Sequence, residues 1–198
     1  MTARPEGRMG EGQGSGRPRA WELVATEELG DYEMFRLRKL RTRSPQDGSE
    51  HEFHIADSPD GVVVIALTPE GEVVMIEQFR QPLRRVTLEM PAGMVDEGEA
   101  PEAAAARELR EETGYEGDAG ERLGCMELNP SWQTASVYVV LVRNAHRAGG
   151  KDLDETEDTR VCRYPLSEVR RRVREGQVNA ATMLSALALY DARYGGVA

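Results

Sequence analysis

The sequence predicts an α/β (α+β) domain, with a mixed sheet held between helices and a small antiparallel sheet ahead of it. Three observations carry this. From Trp21 onward, strand-like and helix-like segments follow one another in mixed order, which suits a mixed sheet between helices. Residues 101–113, "PEAAAARELREET", are dense in strong helix formers. A chain of 198 residues is long enough for one domain with a real core.

Taken in order, residues 1–20 are rich in Gly, Arg and Pro and lack an apolar h-region, so they read as a disordered tail and not as a signal peptide. "WELVATEEL" and "YEMFRLRKLRTR" alternate as strands do, and "SPQDGSE" reads as a hairpin turn before "HEFHIAD". Residues 21–57 are therefore expected to form an N-terminal antiparallel sheet, and residues 58–198 the main domain. In that domain "GVVVIALT", the turn "PEG" and "EVVMIEQFR" make a hairpin of two apolar strands. "VTLEMPAG" leads into helix 101–113. "ERLGCMELN" and "ASVYVVLVRN" are further strands separated by "PSWQT", and "RVCRYPL" is the last. Ser167 and Asn179 are candidate caps for two closing helices, "EVRRRVREG" and "AATMLSALALYDARY".

The formal charge of −10 with no basic stripe argues against nucleic acid as the main partner. An acidic protein can still hold an anionic substrate if metal ions carry the local charge. Cys125 and Cys162 read as two buried thiols of a reducing, cytoplasmic compartment rather than a disulfide. No apolar run approaches membrane-spanning length, so no membrane partner is expected.

Helix 101–113 poses the functional question. Pro101 suits a first turn, where its missing N–H is no loss, and Gly114 suits the stop. Ala105, Ala106 and Leu109 form an apolar stripe able to pack on a sheet. Glu108, Glu111 and Glu112 share one face at i, i+3 and i+4, where like charges repel by a few tenths of a kcal/mol per pair. A solvated acidic face would interleave lysines at i+4, and there are none. The other reading is a site for a hard divalent cation, which takes carboxylate oxygens and shares its coordination with substrate phosphates.

The stretch from Gly93 to Tyr115 fits one long pattern: Gly93, five residues, Glu99, seven residues, then Arg107-Glu108-Leu109-x-Glu111-Glu112-x-Gly114-Tyr115. This resembles the Nudix box at every defined position, a far more specific match than a short glycine motif. The resemblance implies an α/β/α sandwich that hydrolyses a nucleoside diphosphate linked to another moiety, using Mg²⁺ or Mn²⁺. "EQFRQPLRRVTLEMPAG", with Pro130 beyond the box, resembles the ADP-ribose and ADP-sugar pyrophosphatase branch. There the implied reaction is hydrolysis of ADP-ribose, or a related nucleoside diphosphate sugar, to AMP and ribose 5-phosphate. The alternatives are another Nudix substrate, such as GDP-mannose or a dinucleoside polyphosphate, and a non-catalytic module that binds ADP-ribose.

The resemblance also implies roles for residues. Glu108 and Glu112 would be the main metal ligands, with the Ala92 carbonyl and Glu111 completing the set. Arg107 would hold Glu111 by a charge-assisted bond. Glu99 is open between a loop role and ligation. Arg80 is the candidate for the diphosphate, with Arg84 and Arg85 behind it. Adenine usually needs an aromatic platform, and the human-type ADP-sugar pyrophosphatase that this chain resembles sandwiches it between two tryptophans from the N-terminal sheets of two subunits, which implies a homodimer; the matching positions are Met34 or Phe35, and Phe53. Phe35 and Phe53 are equally readable as core of that sheet. The branch takes its general base from a loop beyond the box, which selects Glu157 in "KDLDETEDTRV", with Glu155 next and Glu111 as the alternative within the box.

Overall fold

A computed structural model describes residues 17–153 and 158–195. Most of the expected tail, and Glu155 and Glu157, lie outside the described residues. The chain divides into two compact units: the residues up to Ser58 together with Asn129–Thr134, and Pro59–Leu128 together with the residues from Ala135 onward.

The first unit is a three-stranded antiparallel sheet of β1 (Glu22–Tyr32), β2 (Phe35–Arg43) and β3 (Glu50–Asp57), in that order. The sequence reading started the second strand at Tyr32. The chain instead runs β1 through Tyr32 and turns at Glu33-Met34, because Tyr32 pairs with Phe35 across the hairpin and their rings stack at 5.1 Å. The turn read from "SPQDGSE" forms as expected. Gly48 takes a left-handed φ of 77°, and Asp47 Oδ1 accepts from the Ser49 N–H at 3.1 Å. Asn129–Thr134, read only as a link between strands, is bound to β3. Ala56 N donates to Trp132 O at 2.8 Å, and Thr134 Oγ1 to Asp57 Oδ1 at 2.7 Å.

The second unit holds β4 (Gly61–Leu67), β5 (Glu72–Arg80), β6 (Arg85–Glu89), β7 (Ala92–Met94), α1 (Pro101–Thr113), β8 (Tyr115–Glu116), β9 (Glu121–Glu127), β10 (Ser136–Val142), β11 (His146–Arg147), β12 (Thr159–Pro165), α2 (Leu166–Arg174) and α3 (Ala181–Tyr194). Its seven-stranded sheet runs β12-β5-β4-β10-β9, with β6 beside β5 and β7 beside β4. β4 and β10 are parallel and the other pairings antiparallel, so the sheet is mixed as expected. β8 and β11 form a separate two-stranded ladder that the sequence reading did not contain.

Strand alternation splits the core into two layers. Val63, Ile65, Val73, Met75, Val139 and Leu141 pack against Val169 of α2 and Met183, Ala186 and Leu187 of α3. Val62, Val64, Ala66, Val74, Tyr138 and Val140 pack against Ala104, Ala105 and Leu109 of α1. The apolar stripe of α1 is thus set by Ala104 and not by Ala106, which is exposed. Two expected caps do not form: Pro165 and Ala180 occupy the N-cap positions of α2 and α3, and neither helix has a side-chain cap. Ser167 falls inside α2. Asn179 Oδ1 instead accepts from Arg85 Nη2 at 3.3 Å.

Candidate active site

The site grows from β7, the loop after it and α1. Gly98 turns the loop at φ 82°, and the Asp96 and Glu99 backbones close it with a bond of 3.0 Å. Pro101 opens α1 and Gly114 ends it at φ 72°, both as the sequence predicts.

Arg107 organises the carboxylates. Its Nε and Nη2 donate to the two oxygens of Glu99 at 3.2 and 3.0 Å, and Nη2 also donates to Met94 O at 2.9 Å. Its Nη1 donates to Glu108 Oε1 at 2.8 Å and to Glu111 Oε2 at 3.1 Å. One guanidinium therefore offsets the repulsion among the helix glutamates. This answers the absence of lysines at i+4. Glu99 Oε2 also accepts from the Asp96 N–H at 3.1 Å, so both Glu99 oxygens are engaged in tying the loop to Arg107. The Arg107 hydrogen bonds hold the Glu99 carboxyl below the usual glutamate range.

Glu112 is buried, and its Oε2 accepts from the Ala92 N–H at 2.9 Å. That bond brings the carboxylate to the residue whose carbonyl is the expected ligand. The Glu108 carboxylate lies directly over Gly93, in space that any side chain at 93 would fill. Glu111 is more exposed, and its backbone oxygen accepts from the Asp152 N–H at 3.0 Å. Among the described residues no three acidic side chains close on a single point. The donor set is nonetheless all oxygen and partly open. That suits a hard cation which keeps some of its waters and shares its coordination with substrate phosphates, not one caged by protein.

Arg80 ends β5. It forms a two-pronged pair with Glu89 of β6, Nε to Oε1 at 3.0 Å and Nη2 to Oε2 at 2.7 Å. Thr87 Oγ1 adds a bond to Glu89 Oε1 at 2.5 Å. Burial pushes the Glu89 carboxyl up, but the Arg80 and Thr87 hydrogen bonds outweigh it and leave the carboxyl below its ordinary value. The sequence reading found Arg80 and missed Glu89. The available signal was a lone acid inside the strand "VTLEMPAG", where an unpaired carboxylate would be costly.

The remaining candidates are more scattered. Arg85 is exposed and bonds Asn179. Arg84 stands over the Phe79 ring at 5.7 Å. In the first unit, Phe35 stacks on Tyr32 and Phe53 meets Trp21 edge-on at 5.8 Å. Both phenylalanines remain exposed and Trp21 is a ring the sequence reading did not use, so neither is core of the sheet. Pro130 belongs to the segment held by β3. The loop glutamates Glu155 and Glu157 fall outside the described residues. No helix among the described residues is long and apolar enough to cross a membrane. Cys125 and Cys162 are free and half-buried, and burial raises both thiol pKa values.

The chain has relatives among known proteins. The family model described as the NUDIX domain matches residues 57–185. An ADP-ribose pyrophosphatase of Bacillus subtilis (strain 168) is 34% identical over 158 residues, covering 79% of this chain and 85% of that protein. An ADP-ribose pyrophosphatase of Mycobacterium tuberculosis (strain ATCC 25618 / H37Rv) is 30% identical over 178 residues, covering 88% and 86%. A crystal structure described as an ADP compounds hydrolase superposes with a TM-score of 0.80 at 20% identity, over 92% of this chain and 100% of that one, a likeness of fold.

Proposed function

Because this chain belongs to the Nudix family and is a pyrophosphohydrolase of that family, we propose that it hydrolyses the diphosphate bond of ADP-ribose or a related nucleoside diphosphate sugar. From ADP-ribose the products would be AMP and ribose 5-phosphate. The observation that supports this reading is the Arg107 network, which gathers Glu108 and Glu111 under one guanidinium, together with the bond from the Ala92 N–H to Glu112.

The family implies a divalent ion, and the oxygen donors fit one. Ala92 O, Glu108, Glu111 and Glu112 would hold Mg²⁺, or Mn²⁺ in its place. When bound, the ion neutralises diphosphate oxygens and lowers the pKa of a coordinated water. The rest falls to the protein. Arg107 keeps the glutamates apart and oriented. Arg80, fixed in one rotamer by Glu89, offers its guanidinium to the diphosphate. Glu157, from the loop beyond the box, takes the proton of the attacking water. Phe35 and Phe53, with Arg85 and Pro130, are proposed to contact the nucleotide. The apolar side chains exposed on the first unit, among them Trp21, Leu23, Leu29 and Tyr32, support a homodimer built through this sheet.

The test is a panel of ADP-ribose, other ADP-sugars, GDP-mannose and dinucleoside polyphosphates with Mg²⁺, products resolved by chromatography, with Glu112→Gln as the control. AMP release from ADP-ribose that is lost in the variant is the expected result. Preference for GDP-mannose, or turnover equal in the variant, would overturn the reading.

A further inference from the structure

Helix α1 ends on Thr113 and its cap, Gly114, and the carbonyls of its last turn need donors from elsewhere. The Gly114 N–H reaches Arg110 O at 2.8 Å. The next two carbonyls belong to Glu111 and Glu112. The Asp152 N–H meets the first at 3.0 Å, and Thr159 Oγ1 donates to the second at 3.0 Å. Thr159 opens β12, 47 residues further along the chain, and is only 4% exposed. Lys151 Nζ donates to Thr159 Oγ1 at 3.2 Å and also to Thr159 O. The Thr159 hydroxyl thus accepts from an ammonium and donates to the backbone of Glu112.

Glu112 is in this way held at both ends. Its carboxylate takes the Ala92 N–H of β7, and its carbonyl takes the hydroxyl of β12. β7 pairs with β4 and β12 with β5, so the two bonds tie one residue to two strands of the sheet. A valine at 159 would match threonine in shape and suit a strand as well, so packing alone does not call for the hydroxyl. The charge on Lys151 polarises that hydroxyl and strengthens the bond it donates. It also puts a cation at the C-terminal end of α1, where the helix dipole favours one.

We propose that Thr159, backed by Lys151, is a positioning residue for Glu112: its hydroxyl fixes the last turn of α1, and with it the direction from which the Glu112 carboxylate meets the divalent ion. This rests on the reading of Glu112 as a metal ligand given above. The hydroxyl moves no proton and acts only through the Glu112 backbone. Removing a group that orients a metal ligand typically weakens the metal by roughly 10- to 100-fold.

The test compares Thr159→Val, which removes the hydroxyl, Thr159→Ser, which keeps it, and Lys151→Met. Mn²⁺ binding to the substrate-free protein is read by electron paramagnetic resonance, and Mg²⁺ half-saturation from ADP-ribose hydrolysis. Thr159→Val should weaken both by roughly 10-fold, and Thr159→Ser should stay within about twofold of wild type. KM for ADP-ribose at saturating Mg²⁺ should stay within about twofold in all three, because no substrate contact changes. Lys151→Met leaves the buried bond in place and should weaken Mn²⁺ binding by a smaller factor, about threefold. Metal affinity at the wild-type level in Thr159→Val overturns the inference and leaves the bond to the fold alone. If the valine variant does not fold, wild-type affinity in Lys151→Met overturns it. So does a serine variant as weak as the valine one. A Glu112→Gln variant that binds Mn²⁺ as tightly as wild type would instead sink the ligand reading of Glu112 itself, and this inference with it.

Discussion

Gly93→Ala separates the fold from the chemistry. Gly93 lies in β7 outside the left-handed region, so an alanine is tolerated by the backbone itself. The space is the obstacle: Cδ, Oε1 and Oε2 of Glu108 all fall inside the 3.0 Å that real Cβ atoms essentially never breach. The carboxylate must retreat by roughly 1 Å, a displacement that costs about 100-fold in rate when it moves a reacting group. Stability should barely change. The carboxylate is the far end of a flexible side chain. The Glu108–Arg107 bond it loses is partly exposed and worth about 1 kcal/mol or less. Replacing glycine returns about 0.4–1 kcal/mol by restricting the unfolded chain. The two offset within about 1 kcal/mol, or roughly 2–4 °C in Tm for a chain of this size. The assay is chromatographic release of AMP from ADP-ribose at saturating Mg²⁺, alongside calorimetric unfolding. Activity within threefold of wild type at unchanged Tm would refute the placement of Glu108 at the chemistry. A Tm lowered by much more than 4 °C would refute the claim that Gly93 serves the carboxylate and not the fold.

Other outcomes follow from the same geometry. Glu89 and Glu99 both have folded carboxyls below their ordinary value of 4.5, so the stability they contribute is present above that value and is lost as pH falls through the lower folded one. Thermal unfolding should thus be insensitive to these two groups from pH 7 to 5 and weaken below about 4.5. Arg80→Met removes the group that offsets burial at Glu89, at a cost of roughly 1–3 kcal/mol given that Arg80 is partly exposed. The Glu89 carboxyl should then titrate above its ordinary value, and the stability gap to wild type should narrow between pH 7 and 5. A gap constant over that range would count against the pair. Glu157→Gln should lower kcat by roughly 10²–10⁴-fold with little change in KM and a flattened acid limb of the rate profile, and Glu155→Gln should leave all three near wild type. If both retain activity, the base lies in the box, at Glu111. Sedimentation at micromolar concentration should show a dimer, and a monodisperse monomer would remove the proposed role of the first unit.

Glu89 and Glu112 mark the boundary between what could and could not be read from the chain. Local patterns by themselves determined the box helix, its proline start and glycine stop, the β4–β5 hairpin, and the meaning of Arg107 with its glutamates, because helix spacing and turn chemistry act within a few residues. They also determined the family, because the box is a continuous segment. Tertiary structure decided what depends on register and burial. Glu112 meets Ala92 across 20 residues, because helix packing turns that glutamate toward β7. Arg80 is fixed by Glu89 because β6 folds back beside β5 and sets the two in reach on one face. Asn179 was read as a cap from its type alone. In the fold Ala180 takes that position and the Asn179 side chain meets Arg85, 94 residues away. Asn129–Thr134 joined the first unit through bonds to β3 that no local propensity encodes. Gln78 shows the difference in one residue: in the sequence it is a polar position near a strand end, and in the fold, between β6 and β12, it is buried and no donor among the described residues reaches its oxygen, because burial is a property of neighbours that periodicity does not name.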